Sequence, residues 1–352
     1  MRFAPAPEYQ VFPGPGRPLE PYAAAVRAAR DTQPLVRAVD PHVVVADILT
    51  LAAALAAELE GRPWATLVPH LLPTSEPGMP PYSVGVRLPR TPLGTRVWAL
   101  LRPLLARGEE RGRRELNDAR ARVGLPPIDH VHGGISRQLA LVATFPQLEY
   151  PRAWWTPELR VTGPLLWEQP YPDTEPPPGE EPLVLVAPST SQDPRRRMLR
   201  AALEGLADEP VRVLATTNRR PSPEPLVVPP NAKLVDWLSY ARAMPRCAAV
   251  VCHAGHGTVV RALACGVPVV GCPAAGDMTE NATRLAWAGV GVSLPRRFVT
   301  PRGIRLALRK LLADERYARR AAELAAWGRR NDGAAIAATA LERFANAEPP
   351  SR

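Results

Sequence analysis

The fold is most constrained by CHAGHGTVVRALACGVPVVGCPAAGDMTENATRLAWAGVGVSL, residues Cys252–Leu294. An apolar strand ends at His253 and passes through two glycines directly into a helix predicted from about His256 to Cys265. Gly255 and Gly257 allow a ligand to approach the backbone, because no Cβ is in the way. The helix N-terminus supplies unpaired N–H groups and the positive end of the helix dipole, which suit a diphosphate. A plain strand-to-helix turn would use the same residues, so the glycines alone leave both interpretations open.

Short apolar strands alternate with helices on both sides of this stretch. Helices are predicted over Pro194–Ala207 and Thr279–Ala288, and helices fill most of the remainder to about Ala345. This alternation predicts an α/β unit with a parallel sheet. The predicted strands of this unit are Leu183–Ser189, Val211–Thr217, Ala232–Trp237, Ala248–His253 and Pro268–Pro273.

The first half of the chain has the same alternation. Ile48–Glu60 is predicted to be a helix, and Leu93–Val123 to be one or two helices rich in Leu and Arg. The prolines of Gln169–Pro182 cannot sit in a helix interior or a central strand, so this segment is predicted to link two α/β domains. The predicted strands of the first half are His42–Asp47, which we expect to be buried, Trp64–Pro69, Ala140–Phe145 and Leu159–Pro164.

The composition is that of a globular protein. A chain of 352 residues suits two domains, and its 46% apolar and 22% charged residues are ordinary values. It has no apolar run of about 18 residues and no apolar core of a secretory signal, so we expect a cytoplasmic protein. The cysteines lack zinc spacing and are expected to be reduced, buried thiols. They are Cys247, Cys252, Cys265 and Cys272.

The net charge of +10 predicts attraction to an anionic ligand, a membrane surface or nucleic acid. No helix-turn-helix, zinc-finger or RNP-like pattern is present, and we therefore expect no nucleic-acid partner. Thr95–Arg122 has two interpretations: weak membrane contact by a basic amphipathic helix, or core packing with a solvated arginine face. We favour core packing.

The spacing within Cys252–Leu294 resembles the donor-binding motif of the UDP-glycosyltransferase superfamily, glycosyltransferase family 1. The bacterial pattern is His-x-Gly-x-Gly-Thr, a helix, Gly-Val-Pro, a strand ending in Pro, and then Asp-Gln-x-x-Asn-Ala. The resemblance extends more loosely over nearly the whole chain, and it implies a GT-B fold with two Rossmann-like domains facing across a cleft. The matching residues are His253, Gly255, Gly257, Thr258, Gly266-Val267-Pro268, Pro273, Asp277 and Asn281-Ala282.

The resemblance also implies an inverting, metal-independent hexosyltransferase of the natural-product type, without a cofactor. It would move a sugar from a UDP- or dTDP-sugar to a hydroxyl of a small apolar acceptor. No Asp-x-Asp metal motif is present, so we expect the helix dipole and His253 to stabilise the leaving group. The implied domains are residues 1–168 for the acceptor, 169–182 as linker, 183–332 for the donor, and 333–352 as a C-terminal helix and tail.

Donor-site roles follow from position in the motif. His253 and Thr258 would contact the diphosphate, and Asp277 would bind sugar hydroxyls. Ser189 and Thr190 would donate to phosphate oxygens, unless Ser189–Ser191 cap the next helix. Trp237 with Leu238 matches the nucleobase site, and an ordinary core tryptophan is the alternative.

Two positions depart from the family pattern. Met278 stands where the family has Gln, so one polar contact to the sugar is lost and the identity of the sugar is open. Arg261 stands where many members have a ribose-binding Glu. An arginine there would add charge near the diphosphate but cannot accept a hydrogen bond from ribose. The choice between UDP and dTDP therefore stays open.

Against the family pattern, we expect the acceptor half to lack the opening strand and the catalytic His, which acts as the general base. Residues 3–16 resemble the family's third strand and the loop after it, so about fifty to seventy residues are expected to be absent. Asp47 matches the acid that orients that His, or else it is a helix N-cap. His70 is a candidate for the acceptor pocket or a structural residue. His256 occupies a variable position of the predicted phosphate loop, which is His253–Thr258.

The missing base leaves a second hypothesis open, a nucleotide-sugar-binding protein without transferase activity. An incomplete first domain would expose strand edges and apolar helix faces, which favours self-association, for example as a homodimer. A GT-B sugar epimerase is a third hypothesis, and the match at Asp277 and Asn281 to transferases disfavours it.

Overall fold

The computed structural model describes residues 22–152, 156, 158–190 and 192–347. They form two units, each built on a parallel sheet with flanking helices. The first sheet has the strand order β1-β2-β3-β4, and the second has the order β10-β9-β8-β5-β6-β7. The predicted resemblance of residues 3–16 to a family strand lies outside the described residues.

The first unit contains one helix that was not predicted, α1, and two predicted helices, α2 and α3, that were located approximately or correctly. Its elements are α1 (Ala23–Val39), β1 (Val44–Asp47), α2 (Ala52–Leu59), β2 (Trp64–Val68), α3 (Pro92–Val123), β3 (Ala140–Val142) and β4 (Leu159–Val161). The prediction of a buried first strand is wrong, because β1 is an edge strand of the described sheet and Val45 is 41% exposed. Helix α2 begins four residues later than predicted, after a turn at Asp47.

Helix α3 is one continuous helix, although Pro103 lies inside it. The Thr91 hydroxyl caps its start, and Gly124, with φ of 85°, ends it. The predicted core packing of this helix is wrong, since its fully buried residues are Leu116, Ala119 and Arg120. Its first half presents an apolar stripe to solvent, formed by Leu93, Val97, Leu100, Leu101 and Leu104.

The second unit carries the longer sheet, whose central strands β5 and β8 are buried at every position. Such continuous apolar strands are typical of parallel sheets covered on both faces. The three-residue strand β10 was not predicted. The elements are β5 (Leu183–Ala187), α4 (Arg197–Gly205), β6 (Arg212–Thr216), β7 (Ala232–Val235), α5 (Tyr240–Ala243), β8 (Ala249–Cys252), α6 (His256–Ala264), β9 (Val269–Gly271), α7 (Asp277–Ala288), β10 (Gly291–Ser293), α8 (Pro301–Ala313), α9 (Glu315–Arg330) and α10 (Gly333–Asn346).

The last helix returns to the first unit. In α10, Ala337 is buried against Ala65, Leu139 and Leu141 of the first sheet. A side chain at Gly333 would collide with the backbone of Gly163 and Pro164, so the crossing point requires glycine there. The two units are therefore joined both by the proline-rich segment and by α10.

Candidate active site

The strand order of the second sheet marks where a ligand is expected. The chain runs from β5 to β6 on one side and later returns to β8 on the other. Ligands of open α/β sheets bind at the carboxyl ends of the strands, where the order reverses in this way. Ser189 follows β5 and His253 follows β8, so the sheet brings these two predicted residues to the same crevice.

His253 is anchored across this crevice. Its backbone N–H donates to the Ala187 carbonyl at 3.3 Å, and its ring Nδ1 lies 3.2 Å from the same oxygen. A carbonyl only accepts, so Nδ1 carries the proton and Nε2 is left for a ligand. Burial lowers the pKa of His253 below its usual range, and the ring is therefore neutral at neutral pH. A Cβ on Gly255 would lie 2.3 Å from Nε2, which explains the glycine there.

The first turn of α6 is accessible at Gly257, near the free N–H groups of the helix N-terminus. Gly255 is the N-cap, and Gly257 lies in the first turn, exposed. A Cβ on Gly257 would meet no atom of the described residues within 4 Å, apart from its chain neighbours and its own helix backbone, so no contact among those residues accounts for this glycine. Glycine in a helix costs about 1 kcal/mol relative to alanine, and a ligand that needs the space is a physical reason for it. The half-buried Thr258 follows in the same turn.

Asn281 and Asp277 support the loop before α6. The Asn281 amide donates to the Ala254 carbonyl at 2.9 Å, which holds a residue with φ of 61° just before the glycines. Asp277 begins α7 and lies 3.5 Å from the Asn281 amide. Met278 is buried in the core beneath them. The motif thus places Asn281 behind the phosphate loop, while Asp277 stands at the helix start.

The loop after β5 is a turn rather than a helix cap. The Ser189 hydroxyl accepts the Gln192 N–H at 2.9 Å, and Ser189 is buried. Helix α4 begins only at Arg197, so the interpretation of Ser189–Ser191 as its cap is wrong for Ser189. Thr190 is exposed, and Ser191 lies outside the described residues.

The predicted nucleobase site is aromatic and half-open. Trp237 is half-buried, so the alternative of an ordinary core tryptophan is wrong, whereas Leu238 is buried. The Arg219 guanidinium lies 4.6 Å from the centre of the Trp237 ring, and Tyr171 meets that ring edge-on at 6.5 Å. A cation over an indole is attracted to the ring quadrupole.

Arg261 does not have a free guanidinium. Its Nε lies 3.2 Å from the Glu168 carboxylate, and its Nη2 donates to the Trp167 carbonyl at 3.0 Å. The prediction that Arg261 faces the diphosphate is therefore corrected, because these contacts direct the side chain to the segment that leaves the first unit.

His256 has a role that the sequence did not indicate, because it contacts the first unit. It is buried, with Nε2 3.0 Å from the Thr144 hydroxyl and a second hydrogen bond to the Pro69 backbone. Both partners follow strands of the first sheet, so this position of the phosphate loop joins the two units. Burial lowers the pKa of His256 to about 3.

A buried charge cluster lies at the same contact between the two units, which we call the seam and which includes His256 and Thr144. Arg284 pairs with Glu280 at 2.7 Å on α7 and approaches Glu149 of the first unit at 3.6 Å. Its guanidinium lies 3.3 Å from the centre of the Tyr150 ring. The i, i+4 spacing of Glu280 and Arg284 indicated a helix pair, but not the partners from the first unit.

Two acceptor-side residues lie on the first unit. The ring Nδ1 of His70 donates to the Leu71 carbonyl at 2.7 Å, and His70 stacks on Tyr82 with ring centres 6.0 Å apart. Burial, together with the nearby Asp277, raises the pKa of Tyr82. Tyr82 packs against the buried core that includes Met278 and Ala282 of α7, which places this pair beside the second unit. The Asp47 carboxylate accepts the Leu49 N–H at 2.8 Å, and it does not cap α2, whose N-cap is Leu51.

The cysteines are unpaired thiols, as predicted, although Cys247 and Cys265 are only half-buried. Within the described ranges, no three His, Cys, Asp or Glu side chains are grouped as metal ligands. No helix of those ranges is long and apolar enough to cross a membrane.

Known proteins resemble this chain over most of its length. Residues 200–332 match the family described as erythromycin biosynthesis protein CIII-like, C-terminal domain. The 4'-demethylrebeccamycin synthase of Lentzea aerocolonigenes is 34% identical over 292 residues, which span 80% of this chain and 69% of that protein. A PGL/p-HBAD biosynthesis glycosyltransferase of Mycobacterium tuberculosis (strain ATCC 25177 / H37Ra) is 34% identical over 47% of this chain and 39% of its own length.

Solved structures confirm the predicted GT-B fold. The glycotransferase of kitacinnamycin superposes with a TM-score of 0.73 at 22% identity, over 91% of this chain and 80% of that one. The calicheamicin glycosyltransferase CalG4 gives 0.70 at 23% identity, over 93% and 80%. The glycosyltransferase VinC in complex with dTDP gives 0.63 at 19% identity, over 92% and 80%.

Two parallel-sheet units that face each other, with a glycine-rich loop at the switch point of the second, form the GT-B fold. The chain belongs to the natural-product family of the UDP-glycosyltransferases, and its enzyme class is that of a hexosyltransferase.

Proposed function

We propose that the chain transfers a sugar from a UDP- or dTDP-sugar to a hydroxyl of a small apolar acceptor, with inversion and without a metal. The observation that carries this proposal is the crevice at the ends of β5 and β8. There His253 presents Nε2 beside the N-terminus of α6, and Gly257 leaves space that no atom of the described part of the chain fills. The complex of VinC with dTDP supports a nucleoside diphosphate as the occupant.

The donor half would act on the leaving group. As the acceptor oxygen bonds to the anomeric carbon, the bond from that carbon to the diphosphate oxygen breaks, and negative charge collects on the diphosphate. The α6 N–H groups and a protonated His253 would stabilise that charge. Asp277, at the start of α7, would hold hydroxyls of the transferred sugar.

The acceptor hydroxyl must also give up its proton to a base. His70 is suited to this step, because the Nδ1–H bond to the Leu71 carbonyl leaves the Nε2 lone pair available. It lies one residue from Pro69, whose backbone bonds to His256 at the start of α6. The base would therefore stand on the first unit, across the seam from the phosphate loop.

The test is donor turnover with a panel of phenolic and alcohol acceptors, with and without EDTA. We expect a glycosylated product of inverted anomeric configuration and a rate that EDTA does not change. Nucleotide-sugar binding without transfer would favour the second hypothesis, a binding protein. Failure of the wild-type chain to bind any UDP- or dTDP-sugar in calorimetry would contradict the proposed function itself.

A further inference from the structure

Glu168 carries a carboxylate that has no role in the donor site proposed above. One of its oxygens, Oε2, lies 3.2 Å from Arg261 Nε and accepts the Ala241 N–H at 3.1 Å. The other oxygen, Oε1, has no hydrogen-bond partner in the part of the chain that the structure describes. The side chain keeps 23% of its surface exposed, so Oε1 is accessible to a ligand.

The position of Glu168 is defined by the two elements that it bridges. Ala241 lies in α5, three residues after Leu238 and thus next to the predicted nucleobase site. Arg261 lies in α6, three residues after Thr258 and one helical turn from the predicted diphosphate site. A pentose, ribose in UDP and deoxyribose in dTDP, connects the base to the phosphate in every nucleotide. A group that bridges these two elements therefore lies beside the path of the ribose.

A ribose at this position would need a hydrogen-bond acceptor on the protein. Ribose hydroxyls present O–H donors, and the Arg261 guanidinium can only donate. The Glu168 carboxylate is an acceptor, and Arg261 together with the Ala241 N–H fixes its orientation by binding the other oxygen. A hydrogen bond to a carboxylate is about twice as strong as one between neutral groups.

We propose that Glu168 binds a ribose hydroxyl of the nucleotide donor and that Arg261 is its positioning residue. This inference rests on the proposed function, and it makes Glu168 a determinant of nucleotide specificity. The residue that accepts the hydrogen bond from ribose thus lies in the segment between the two units and not in α6 itself.

The experiment compares UDP, 2′-deoxy-UDP and 2′,3′-dideoxy-UDP by calorimetry on the full chain. We expect the wild type to bind UDP about tenfold or more tightly than the dideoxy nucleotide. Glu168→Ala should reduce that ratio to less than about twofold, mainly by weakening UDP. The 2′-deoxy nucleotide tells which hydroxyl is bound, since it keeps only the 3′ group.

Glu175→Ala is the matched control, because Glu175 lies in the same segment and pairs with Arg246 at 3.3 Å. It should leave the ratio unchanged. Glu168→Gln keeps an acceptor oxygen without the charge, so it should retain a reduced preference for UDP even if the alanine variant unfolds. An equal loss for UDP and dideoxy-UDP in folded Glu168 variants would overturn the proposal, as would a wild type that does not distinguish them. A wild type that binds no nucleotide would instead refute the proposed function.

Discussion

His253 is the residue whose replacement tests the donor site most directly. Its imidazole is held by the Ala187 carbonyl through Nδ1, so Nε2 can donate to a phosphate only after the ring takes up a second proton. Burial keeps the pKa of the empty site below 6.5, whereas a bound diphosphate raises it by its negative charge. Donor binding should therefore be coupled to proton uptake.

The magnitude follows from the strength of one hydrogen bond between charged groups. Such a bond contributes about 1.5–3 kcal/mol, so His253→Ala should weaken donor binding about tenfold to 150-fold. The wild-type affinity should be highest below the pKa of the empty site. It should fall by up to about tenfold per pH unit until the raised pKa of the complex is passed. The alanine variant should lack this slope.

The assay is calorimetry with a UDP- or dTDP-sugar between about pH 5.5 and 8. A nucleotide sugar is the better ligand, because each of its two phosphates carries a single strongly acidic group and does not titrate in this range. Running each pH in two buffers of different ionisation enthalpy counts the protons taken up. His42→Ala, at an exposed histidine, is the control. Unchanged affinity in His253→Ala, or the same pH slope in both proteins, would remove His253 from the site.

Three further predictions concern other residues of the site. His256, whose pKa is about 3 in the folded chain, should contribute stability that is fully present above pH 6.5 and is lost towards pH 3. The loss should be up to about 1.4 kcal/mol per pH unit, so the urea midpoint of His256→Gln should depend less on pH than that of the wild type; parallel curves would contradict this. Gly257→Ala should leave stability unchanged or raise it by up to about 1 kcal/mol, because the added Cβ meets no atom of the described residues, while it should weaken nucleotide-sugar binding. Full donor affinity in this variant would mean that the ligand does not pass there. His70→Gln should lower transfer about 10²–10⁴-fold with donor affinity within about twofold; equal losses of transfer and donor affinity, in product assays and calorimetry, would point to misfolding instead.

Much of the fold could be predicted from the sequence, because its signals are local. Continuous apolar strands such as Leu183–Ala187 and Ala249–Cys252 indicate a buried parallel sheet from their own composition. The strand, the two glycines and the helix of the phosphate loop are also adjacent in the chain, so the position of Gly255 and Gly257 relative to α6 followed directly. Errors arose where neighbours outside the segment decide the outcome. Helix α3 has the periodicity of a packed helix, yet no described element covers its first half.

Only the tertiary structure decided which residues meet across the seam. His256 bonds to Thr144, which is 112 positions away, and Arg261 contacts Trp167, which is 94 positions away. The pattern of a helix records which of its faces is apolar, but it carries no information on the distant group that a polar side chain will meet. Arg261 therefore looked like a phosphate ligand in the sequence, and the fold assigned it to Glu168. The sequence alone predicts a diphosphate ligand, because a glycine-rich strand-to-helix turn is a local feature of the chain. The shape of the site depends instead on how the two sheets are brought together.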